Sequence, residues 1–245
     1  MKIKKNNYYI TSDKIPSEFN GFKITHISDL HNRVVDKDFY NMVDGDIIVL
    51  TGDLISRKST DISCVAVLNK LSEIAPVYYI TGNHEGRNVD TFRLIEKNIS
   101  EKITILHDEM VSLNKNGKSI NLIGLDDLNY LRTVYGVDEE APDDRLEKFS
   151  INKYTVVLIH SPNNIEYISQ YKPDLVLCGH THGGQICLPV FGAIYAPGQG
   201  LFPKYTKGLY NVNNVSMIIN AGIGYSRLKI RTFCPPEINS ITLHN

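Results

Sequence analysis

The chain has 245 residues, of which 42% are hydrophobic and 22% are charged. A chain of this length and composition folds into one large domain or two small ones, which excludes disordered, collagen-like and coiled-coil architectures. The chain has 26 Lys and Arg residues and 27 Asp and Glu residues, so the net charge is −1. The surface as a whole is therefore not that of a non-specific nucleic-acid binder, and we expect no nucleic-acid partner.

Short runs rich in Val, Ile and Leu alternate with polar segments that have helical spacing. Strands are predicted over residues 22–27, 46–50, 77–80, 120–125, 154–159, 175–178, 215–220 and 238–243. Helices are predicted over residues 61–75, 88–98 and 163–171. This alternation is typical of an α/β fold. No repeat or linker divides the chain, which favours a single domain over residues 1–245 with two packed sheets.

The sequence contains no apolar run near the roughly 20 residues that a transmembrane helix needs. The first residues, MKIKKNNYYI, lack the apolar centre of a signal peptide. We therefore expect a cytoplasmic protein with at most peripheral membrane contact. The four cysteines are scattered, without a C-x-x-C pair, and the sequence favours reduced, buried thiols over disulfides. They are Cys64, Cys178, Cys187 and Cys234.

Aspartate, asparagine and histidine residues directly follow five of the predicted strands. They are Asp29, His31, Asp53, Asn83, His84, His160, His180 and His182. In open α/β sheets ligands bind beyond the carboxyl ends of the strands, so these side chains indicate one convergent site. A single aspartate or histidine is more often a turn or packing residue, and only the whole set indicates a site. His26, His107 and His244 are left outside it on that ground.

This set of donors is too large for one ordinary ion, and two metal ions would use it fully. Mixed oxygen and imidazole donors suit Mn, Fe, Co or Zn, and the absence of cysteine ligands disfavours a structural zinc site. A carboxylate shared by two ions about 3.5 to 4 Å apart lets them stabilise the attacking and leaving oxygens of a displacement at phosphorus. Asp53 is our candidate for that bridging position.

The motifs D-x-H, G-D, G-N-H-E, H and G-H-x-H resemble, in this order, those of the metallophosphoesterase superfamily, also called calcineurin-like phosphoesterases. In this chain they are Asp29-Leu30-His31, Gly52-Asp53, Gly82-Asn83-His84-Glu85, His160 and Gly179-His180-Thr181-His182. Nearly the whole chain is similar to the bacterial branch of YaeI- and YkuE-like phosphodiesterases. The resemblance implies a four-layer α/β/β/α sandwich of two mixed β-sheets flanked by helices.

The resemblance also implies a role for each motif residue. The first metal would take Asp29, His31, Asp53 and His182, and the second would take Asp53, Asn83, His160 and His180; the ions would be Mn, Fe or Zn. His84 matches a histidine that faces the scissile phosphate and assists charge stabilisation or leaving-group protonation. The implied activity is that of a phosphodiesterase or pyrophosphatase in which a hydroxide bridging the two metals attacks phosphorus in line.

Two later segments bear on the substrate. Residues 186–210 are rich in Pro, Gly and aromatic residues, which fits a cleft wall for an apolar group and a packed hairpin equally well. Residues 226–231 alternate basic and apolar side chains, and Arg227 and Arg231 are candidates to hold a substrate phosphate, the alternative being a solvated basic face.

Other functions share the same motifs. A phosphomonoesterase or protein phosphatase would use all of them, whereas a catalytically silent binding scaffold is disfavoured because every motif position holds a competent side chain. Superfamily relatives that cleave lipid-linked pyrophosphates imply a small-molecule or lipid-linked phosphoester as substrate. No obligate protein partner is expected.

Overall fold

The computed structural model describes residues 1–137, 144–184, 186–188, 192–225 and 231–245. Its strands, in chain order, are β1 (Lys4–Thr11), β2 (Lys23–Ile27), β3 (Ile47–Thr51), β4 (Val77–Ile80), β5 (Ile103–Ile105), β6 (Glu109–Lys115), β7 (Lys118–Gly124), β8 (Thr155–Leu158), β9 (Leu175–Cys178), β10 (Ile186–Leu188), β11 (Gly192–Ala196), β12 (Gly200–Leu201), β13 (Gly208–Val212), β14 (Val215–Ile219) and β15 (Glu237–His244). Its α-helices are α1 (Lys37–Asn41), α2 (Cys64–Ser72), α3 (Asn83–Gly86), α4 (Val89–Glu96), α5 (Leu128–Tyr135) and α6 (Ile165–Ile168).

Within these described residues the strands form two six-stranded sheets and one small sheet. Sheet A has the order β1-β15-β2-β3-β4-β5, and sheet B has the order β13-β14-β9-β8-β7-β6. Both sheets are mixed. In sheet A, β15 is antiparallel to β2, whereas β2, β3, β4 and β5 run parallel. In sheet B, β6 and β13 are antiparallel to their neighbours, whereas β7, β8, β9 and β14 run parallel. The small sheet has the order β10-β11-β12.

Alternating side chains of the central strands divide the core into layers. In β3, Ile47 and Val49 pack between the two sheets, whereas Ile48 and Leu50 pack against α2 and α4 on the outer face of sheet A. In β8, Val157 faces α6 on the outer face of sheet B. Because successive residues of a strand point to opposite faces, both sheets are covered on two sides. The predicted four-layer α/β/β/α sandwich is confirmed.

All eight predicted strands are present, with ends that differ from the predicted ones by no more than two residues. The predicted helices are shorter than expected. The Asp61 carboxylate accepts hydrogen bonds from the backbone N–H and hydroxyl of Ser63, which forms a turn before α2 begins at Cys64. The segment predicted over 163–171 holds only the single turn of α6 between two 3₁₀ turns, and the chain leaves it through Lys172 in a left-handed conformation (φ 54°).

Within the segment 186–210, β10, β11 and β12 form the small sheet, and residues 208–210 begin β13 of sheet B. The small sheet is joined covalently to the C-terminal region. Cys187 of β10 is bonded to Cys234, 47 residues later in the sequence. The expectation that all four thiols are reduced is therefore wrong for this pair. The parallel bridge between Ile186 and Thr232 brings the two cysteine-bearing segments together. The spacing of the cysteines in the sequence does not reveal this contact. Cys64 and Cys178 are free and buried, as expected.

No helix in the described ranges is long and apolar enough to span a membrane. The prediction of one domain over residues 1–245 stays a prediction.

Candidate metal centre and catalytic cleft

The eight side chains predicted to form a site lie together where five strands end. Strands β2, β3 and β4 are adjacent in sheet A, and β8 and β9 are adjacent in sheet B. Because each of these neighbouring sets is parallel, their carboxyl ends reach the same edge of the sandwich. The loops that follow them carry Asp29, His31, Asp53, Asn83, His84, His160, His180 and His182.

The first group of donor atoms comes from Asp29, His31 and His182, all of which are buried. The two imidazole Nε2 atoms lie 3.3 Å apart. Asp29 Oδ1 lies 3.8 Å from Nε2 of His31 and 3.6 Å from Nε2 of His182. Three donor atoms therefore face a common centre.

The second group comes from sheet B and the end of β4. His160 Nε2 lies 3.1 Å from Asn83 Oδ1 and 3.1 Å from His180 Nδ1. The other nitrogen of His160 hydrogen-bonds the Thr51 carbonyl oxygen at 2.7 Å, which fixes the ring orientation. Gly52 makes this contact possible, because a Cβ there would lie 2.5 Å from His160 Nδ1.

Asp53 lies between the two groups. Its Oδ2 atom is 3.7 Å from Nε2 of His31 on one side and 3.5 Å from Nε2 of His160 on the other. Its Oδ1 atom accepts the backbone N–H of His84 at 2.8 Å, so the carboxylate is held with Oδ2 pointing into the space between the groups. This is the position that the sequence assigns to a bridging ligand.

The donor atoms fit divalent metal ions. Ligands about 2.1 Å from a shared ion lie roughly 3.0 to 3.5 Å from one another, close to the separations found here. Asp29 Oδ1 is buried without a hydrogen-bond partner among the described residues, as expected of an oxygen reserved for a cation. Mixed oxygen and imidazole donors suit Mn, Fe or Zn.

The protonation equilibria of the site reflect close packing of carboxylates and imidazoles. Burial lowers the pKa of His180 to about 4, and it lowers the pKa of His182 well below the ordinary value. Burial acts in the same direction on His160, but the adjacent Asp53 carboxylate outweighs it and raises that pKa well above the ordinary value. For Asp53 burial favours a higher pKa, and His160 and His84 outweigh it, so the pKa lies well below the ordinary value.

Five of the candidate ligands have left-handed backbone conformations. They are Asp29, His31, Asp53, His180 and His182, with φ between 48° and 70°. Residues other than glycine rarely adopt this conformation, and each one costs roughly 1–3 kcal/mol unless the surroundings impose it. Such a concentration of strained residues at one edge of the fold indicates a functional site.

His84 lies beside Asp53 and reaches the cleft. Its Nε2 atom is 3.8 Å from Asp53 Oδ2. Its side chain is 16% exposed, whereas those of His31, His160 and His182 are at most 3% exposed. Its ring lies 4.6 Å from the ring of His31. Burial lowers the pKa of His84, against the opposing effect of Asp53. His84 could also serve as a third donor with His31 and Asp53, although the sequence does not assign it as a ligand.

Two residues to which the sequence analysis gave no role position the loops that carry the ligands: Ser28, next to the first motif, and Glu85, the last residue of G-N-H-E. Glu85 is fully buried and accepts the backbone N–H groups of Asp53, Ile55 and Gly82 at 2.8, 3.2 and 2.7 Å. Burial, assisted by Asp53, raises the pKa of Glu85 to about 7. Ser28 donates to Asp29 Oδ2 at 2.6 Å. The feature of the sequence that could have identified Glu85 is its place in the motif G-N-H-E.

A cleft of about 950 Å³ opens over the donor groups. Its walls include four residues that no motif marks and that the sequence analysis did not single out, namely Arg87, Asp127, Asn129 and Asn163. They also include Tyr195 of the segment 186–210, for which a cleft wall was one of the two interpretations of the sequence.

The remaining histidines lie in other surroundings. His26 is buried beneath the site, with Nε2 2.9 Å from the Thr51 hydroxyl, and burial lowers its pKa to about 3. His107 lies between the carboxylates of Asp126 and Glu96, which raise its pKa to about 10 against the effect of burial. His244 lies near Asn20, with Nδ1 3.3 Å from the side-chain oxygen.

The two arginines predicted to bind substrate have different outcomes. Arg227 lies outside the described residues. Arg231 is described, and it does not have the solvent-exposed position of a basic strand face: its guanidinium is buried and contacts His182 Nδ1 at 2.9 Å. It is also absent from the described residues that line the cleft.

The geometry of the site agrees with comparison to known proteins. The family profile described as calcineurin-like phosphoesterase matches residues 22–184. The chain therefore belongs to the calcineurin-like phosphoesterase family, and it is a metal-dependent phosphoric ester hydrolase. The resemblance stated from the motifs is confirmed.

Individual relatives agree with this membership. The chain is 30% identical over 257 residues to the uncharacterised metallophosphoesterase YkuE of Bacillus subtilis, a match that covers 98% of this chain and 85% of YkuE. It is 31% identical to the phosphodiesterase YaeI of Escherichia coli, with 91% and 82% of the two chains covered. The solved NAD nucleotidase of Haemophilus influenzae is similar in fold, with a TM-score of 0.52 and 18% identity over 86% of this chain and 48% of that chain.

Proposed function

We propose that this enzyme is a phosphodiesterase that uses a binuclear metal centre, with manganese as one candidate metal. The observation that carries the proposal is the position of Asp53 Oδ2, 3.7 and 3.5 Å from imidazole nitrogens of the two donor groups, at the floor of the cleft. When bound, two divalent ions supply Lewis acidity that polarises the phosphoryl group and activates water. The ligands would be Asp29, His31, Asp53 and His182 for one ion and Asp53, Asn83, His160 and His180 for the other.

The chain's own residues orient the substrate above this centre. His84 lines the cleft and offers a ring N–H that can donate to a phosphoryl or leaving-group oxygen. Its backbone N–H is already bound to Asp53 Oδ1, so the side chain is positioned relative to the bridging carboxylate. Hydrogen bonding or proton donation of this kind typically contributes about 10²- to 10⁴-fold to a rate.

The shape of the cleft favours a diester over a monoester. Its walls come from two sets of elements: Arg87 and Asn129 lie near α3 and α5, whereas Asn163 and Tyr195 lie after β8 and in β11. A volume of about 950 Å³ is at the upper end of the range for small-molecule sites. The cleft therefore has room for a substituent on each side of a phosphate.

We expect manganese-loaded protein to hydrolyse bis-p-nitrophenyl phosphate with a higher kcat/KM than p-nitrophenyl phosphate. Replacing His84 with Ala should lower kcat about 10²- to 10⁴-fold while the metal content stays at the wild-type level, because His84 acts on the substrate in this proposal. The two measurements are steady-state rates and metal content by plasma emission spectrometry.

A chelated sample serves as the control for metal dependence. Preference for the monoester would identify a phosphomonoesterase and contradict the proposal. Metal-bound protein that turns over neither substrate would favour a binding scaffold or an enzyme restricted to a different ester.

We also propose that the substrate carries an apolar group, as a lipid-linked phosphodiester does. In the small sheet Ile186 is paired with Tyr195, and Tyr195 is paired with Leu201. Paired residues on neighbouring strands point to the same face, so these three side chains form one row. Tyr195 lines the cleft, and Leu201 is 69% exposed. The row thus continues the cleft wall into an apolar surface.

This proposal predicts that kcat/KM depends on the length of the alkyl group of the diester substrate. Octyl p-nitrophenyl phosphate should have a kcat/KM about tenfold or more above that of methyl p-nitrophenyl phosphate, because burying even one large aliphatic contact contributes roughly 1.5–3 kcal/mol. Replacing Leu201 with Ser should remove most of this advantage and leave the methyl ester unaffected.

Leu209→Ser is a matched control, because Leu209 is also an exposed leucine on a strand but belongs to β13 of sheet B. Equal rates for the two esters would contradict the apolar-substrate proposal without affecting the phosphodiesterase assignment.

The compartment stays a prediction. The sequence predicts cytoplasmic residence with at most peripheral membrane contact, whereas a Cys187–Cys234 bond is typical of an oxidising compartment. The redox state of these two thiols in protein isolated under alkylating conditions distinguishes the two locations.

A further inference from the structure

We propose that Arg87 determines which leaving group the enzyme accepts: its guanidinium binds a second negatively charged group, a carboxylate or a phosphate, carried by the leaving group of the diester. This inference rests on the phosphodiesterase activity proposed above. It adds the chemical class of the leaving group, which the donor atoms of the metal centre do not define.

Arg87 and His84 lie on the same turn of the chain, and both line the cleft. Helix α3 ends at Gly86, and the backbone N–H of Arg87 donates to the carbonyl oxygen of His84 at 3.2 Å. In such a turn, side chains three residues apart lie on the same side. With His84 as the donor to the leaving-group oxygen, Arg87 lies on the same side of the phosphate as the leaving group.

The backbone that carries Arg87 is fixed by its neighbours. The carboxylate of Glu85 accepts three backbone N–H groups at the ends of the strands. Gly86 lies directly against α5, where a Cβ would be 2.6 Å from the carbonyl carbon of Asn129 and would also collide with the backbone of Tyr130. The point at which the arginine side chain leaves the backbone is therefore set before substrate binds, which lowers the cost of binding.

The charge of Arg87 is available to a ligand. Its side chain is exposed, and no hydrogen bond or ion pair joins it to another of the described residues. Arg145, the second arginine among the described residues that line the cleft, donates to the Asp108 carboxylate at 2.7 Å and to the Asp126 carbonyl oxygen at 2.9 Å. A guanidinium binds a carboxylate or a phosphate through two parallel hydrogen bonds.

The two carboxylates on the same wall of the cleft have other partners. Asp126 accepts a hydrogen bond from the Thr81 hydroxyl at 2.6 Å, and its second oxygen lies 2.8 Å from His107 Nδ1. Asp127 accepts the backbone N–H of Asn129 at 2.8 Å. Neither carboxylate therefore neutralises the exposed guanidinium.

The opposite wall of the cleft differs in character. Its described residues after β8 and in the small sheet, such as Asn163, Ile168 and Tyr195, carry no charged side chain. An apolar substituent of the substrate thus faces the small sheet, and an anionic one faces Arg87. In hydrolysis phosphorus gains a bond to the water oxygen and loses its bond to the leaving-group oxygen, which takes up a proton. The second anionic group leaves unchanged with that oxygen.

The test compares three methyl aryl phosphates as substrates of manganese-loaded protein. Their leaving groups are o-nitrophenols with a carboxylate, a phosphonate or a neutral carboxamide in the para position, and release of the nitrophenol gives kcat/KM. Comparing each variant with the wild type cancels the intrinsic reactivity of the leaving groups.

Arg87→Gln should lower kcat/KM for the two anionic esters about tenfold relative to the carboxamide ester. A charge-assisted hydrogen bond contributes roughly this factor or more, and solvent screening at an exposed side chain favours the lower end. Arg87→Lys should keep part of the preference, because it retains the charge without the two parallel hydrogen bonds. The larger loss, for carboxylate or phosphonate, identifies which anion the site is built for.

Arg93→Gln is the matched control, because Arg93 is an exposed arginine of α4 that lines a smaller neighbouring pocket and is absent from the described residues of the cleft. Its three rates should equal those of the wild type. The inference is wrong if Arg87→Gln leaves the preference unchanged, or if it lowers all three rates equally, which would place Arg87 at the scissile phosphate. Wild-type protein that hydrolyses neither these esters nor bis-p-nitrophenyl phosphate would instead overturn the phosphodiesterase proposal.

Discussion

Replacing Asp53 with Asn is expected to lower the metal content from two ions per chain to less than one and to abolish most of the activity. Asp53 Oδ2 is the atom shared by both donor groups, so its loss weakens both sites at once. Metal ions contribute several kcal/mol of transition-state stabilisation, and about 4 kcal/mol corresponds to roughly 10³-fold in rate. Plasma emission spectrometry and the bis-p-nitrophenyl phosphate assay measure the two effects.

Asp127→Asn is a matched control for this variant. Asp127 lies in the same cleft, but its carboxylate caps α5 by accepting the Asn129 backbone N–H, which an asparagine side chain also does. Metal content should stay at two ions. An Asp53→Asn protein that retained one tightly bound ion would assign Asp53 to a single site, and full content with normal turnover would exclude it as a ligand.

The layers of the fold follow from features that a single sequence contains. Central strands such as 77–80 and 175–178 are continuous apolar runs because both faces of each sheet are covered, and they were predicted with the correct ends. The strands that escaped prediction lie at the edges of the two large sheets or belong to the small sheet. In β1, for example, Ile10 is the one buried residue of the sequence KKNNYYIT, so its composition is that of a surface segment.

The convergence of the candidate ligands could also be predicted, because parallel strands bring their carboxyl ends to one edge whatever the loops do. The contacts that hold the ligand-bearing segments in place could not be predicted. Arg231 and His182 are 49 residues apart, and the two bonded cysteines are 47 apart. No local pattern links such pairs, so their proximity depends on how the small sheet and the C-terminal segment pack.

Glu85 is the residue missed by the sequence analysis whose replacement should affect stability most. Replacing it with Ala leaves three buried backbone N–H groups without their acceptor, at about 1–3 kcal/mol each. A loss of at least about 3 kcal/mol corresponds to a Tm lowered by roughly 6–12 °C in a chain of this size. The same loops carry Asp53 and Asn83, so the Tm increase produced by added Mn²⁺ should also shrink.

Comparison of two further variants isolates the cause of this effect. Glu85→Gln keeps one carbonyl oxygen as acceptor but turns an amide N–H₂ toward another donor, so its Tm should lie between those of Glu85→Ala and the wild type. Glu73→Ala removes an exposed carboxylate that pairs with Lys70 and should leave both Tm and its response to Mn²⁺ unchanged. If Glu85→Ala matched Glu73→Ala in both measurements, the three backbone hydrogen bonds would not hold the ligand loops, and the left-handed conformations of Asp53 and its neighbours would need another support.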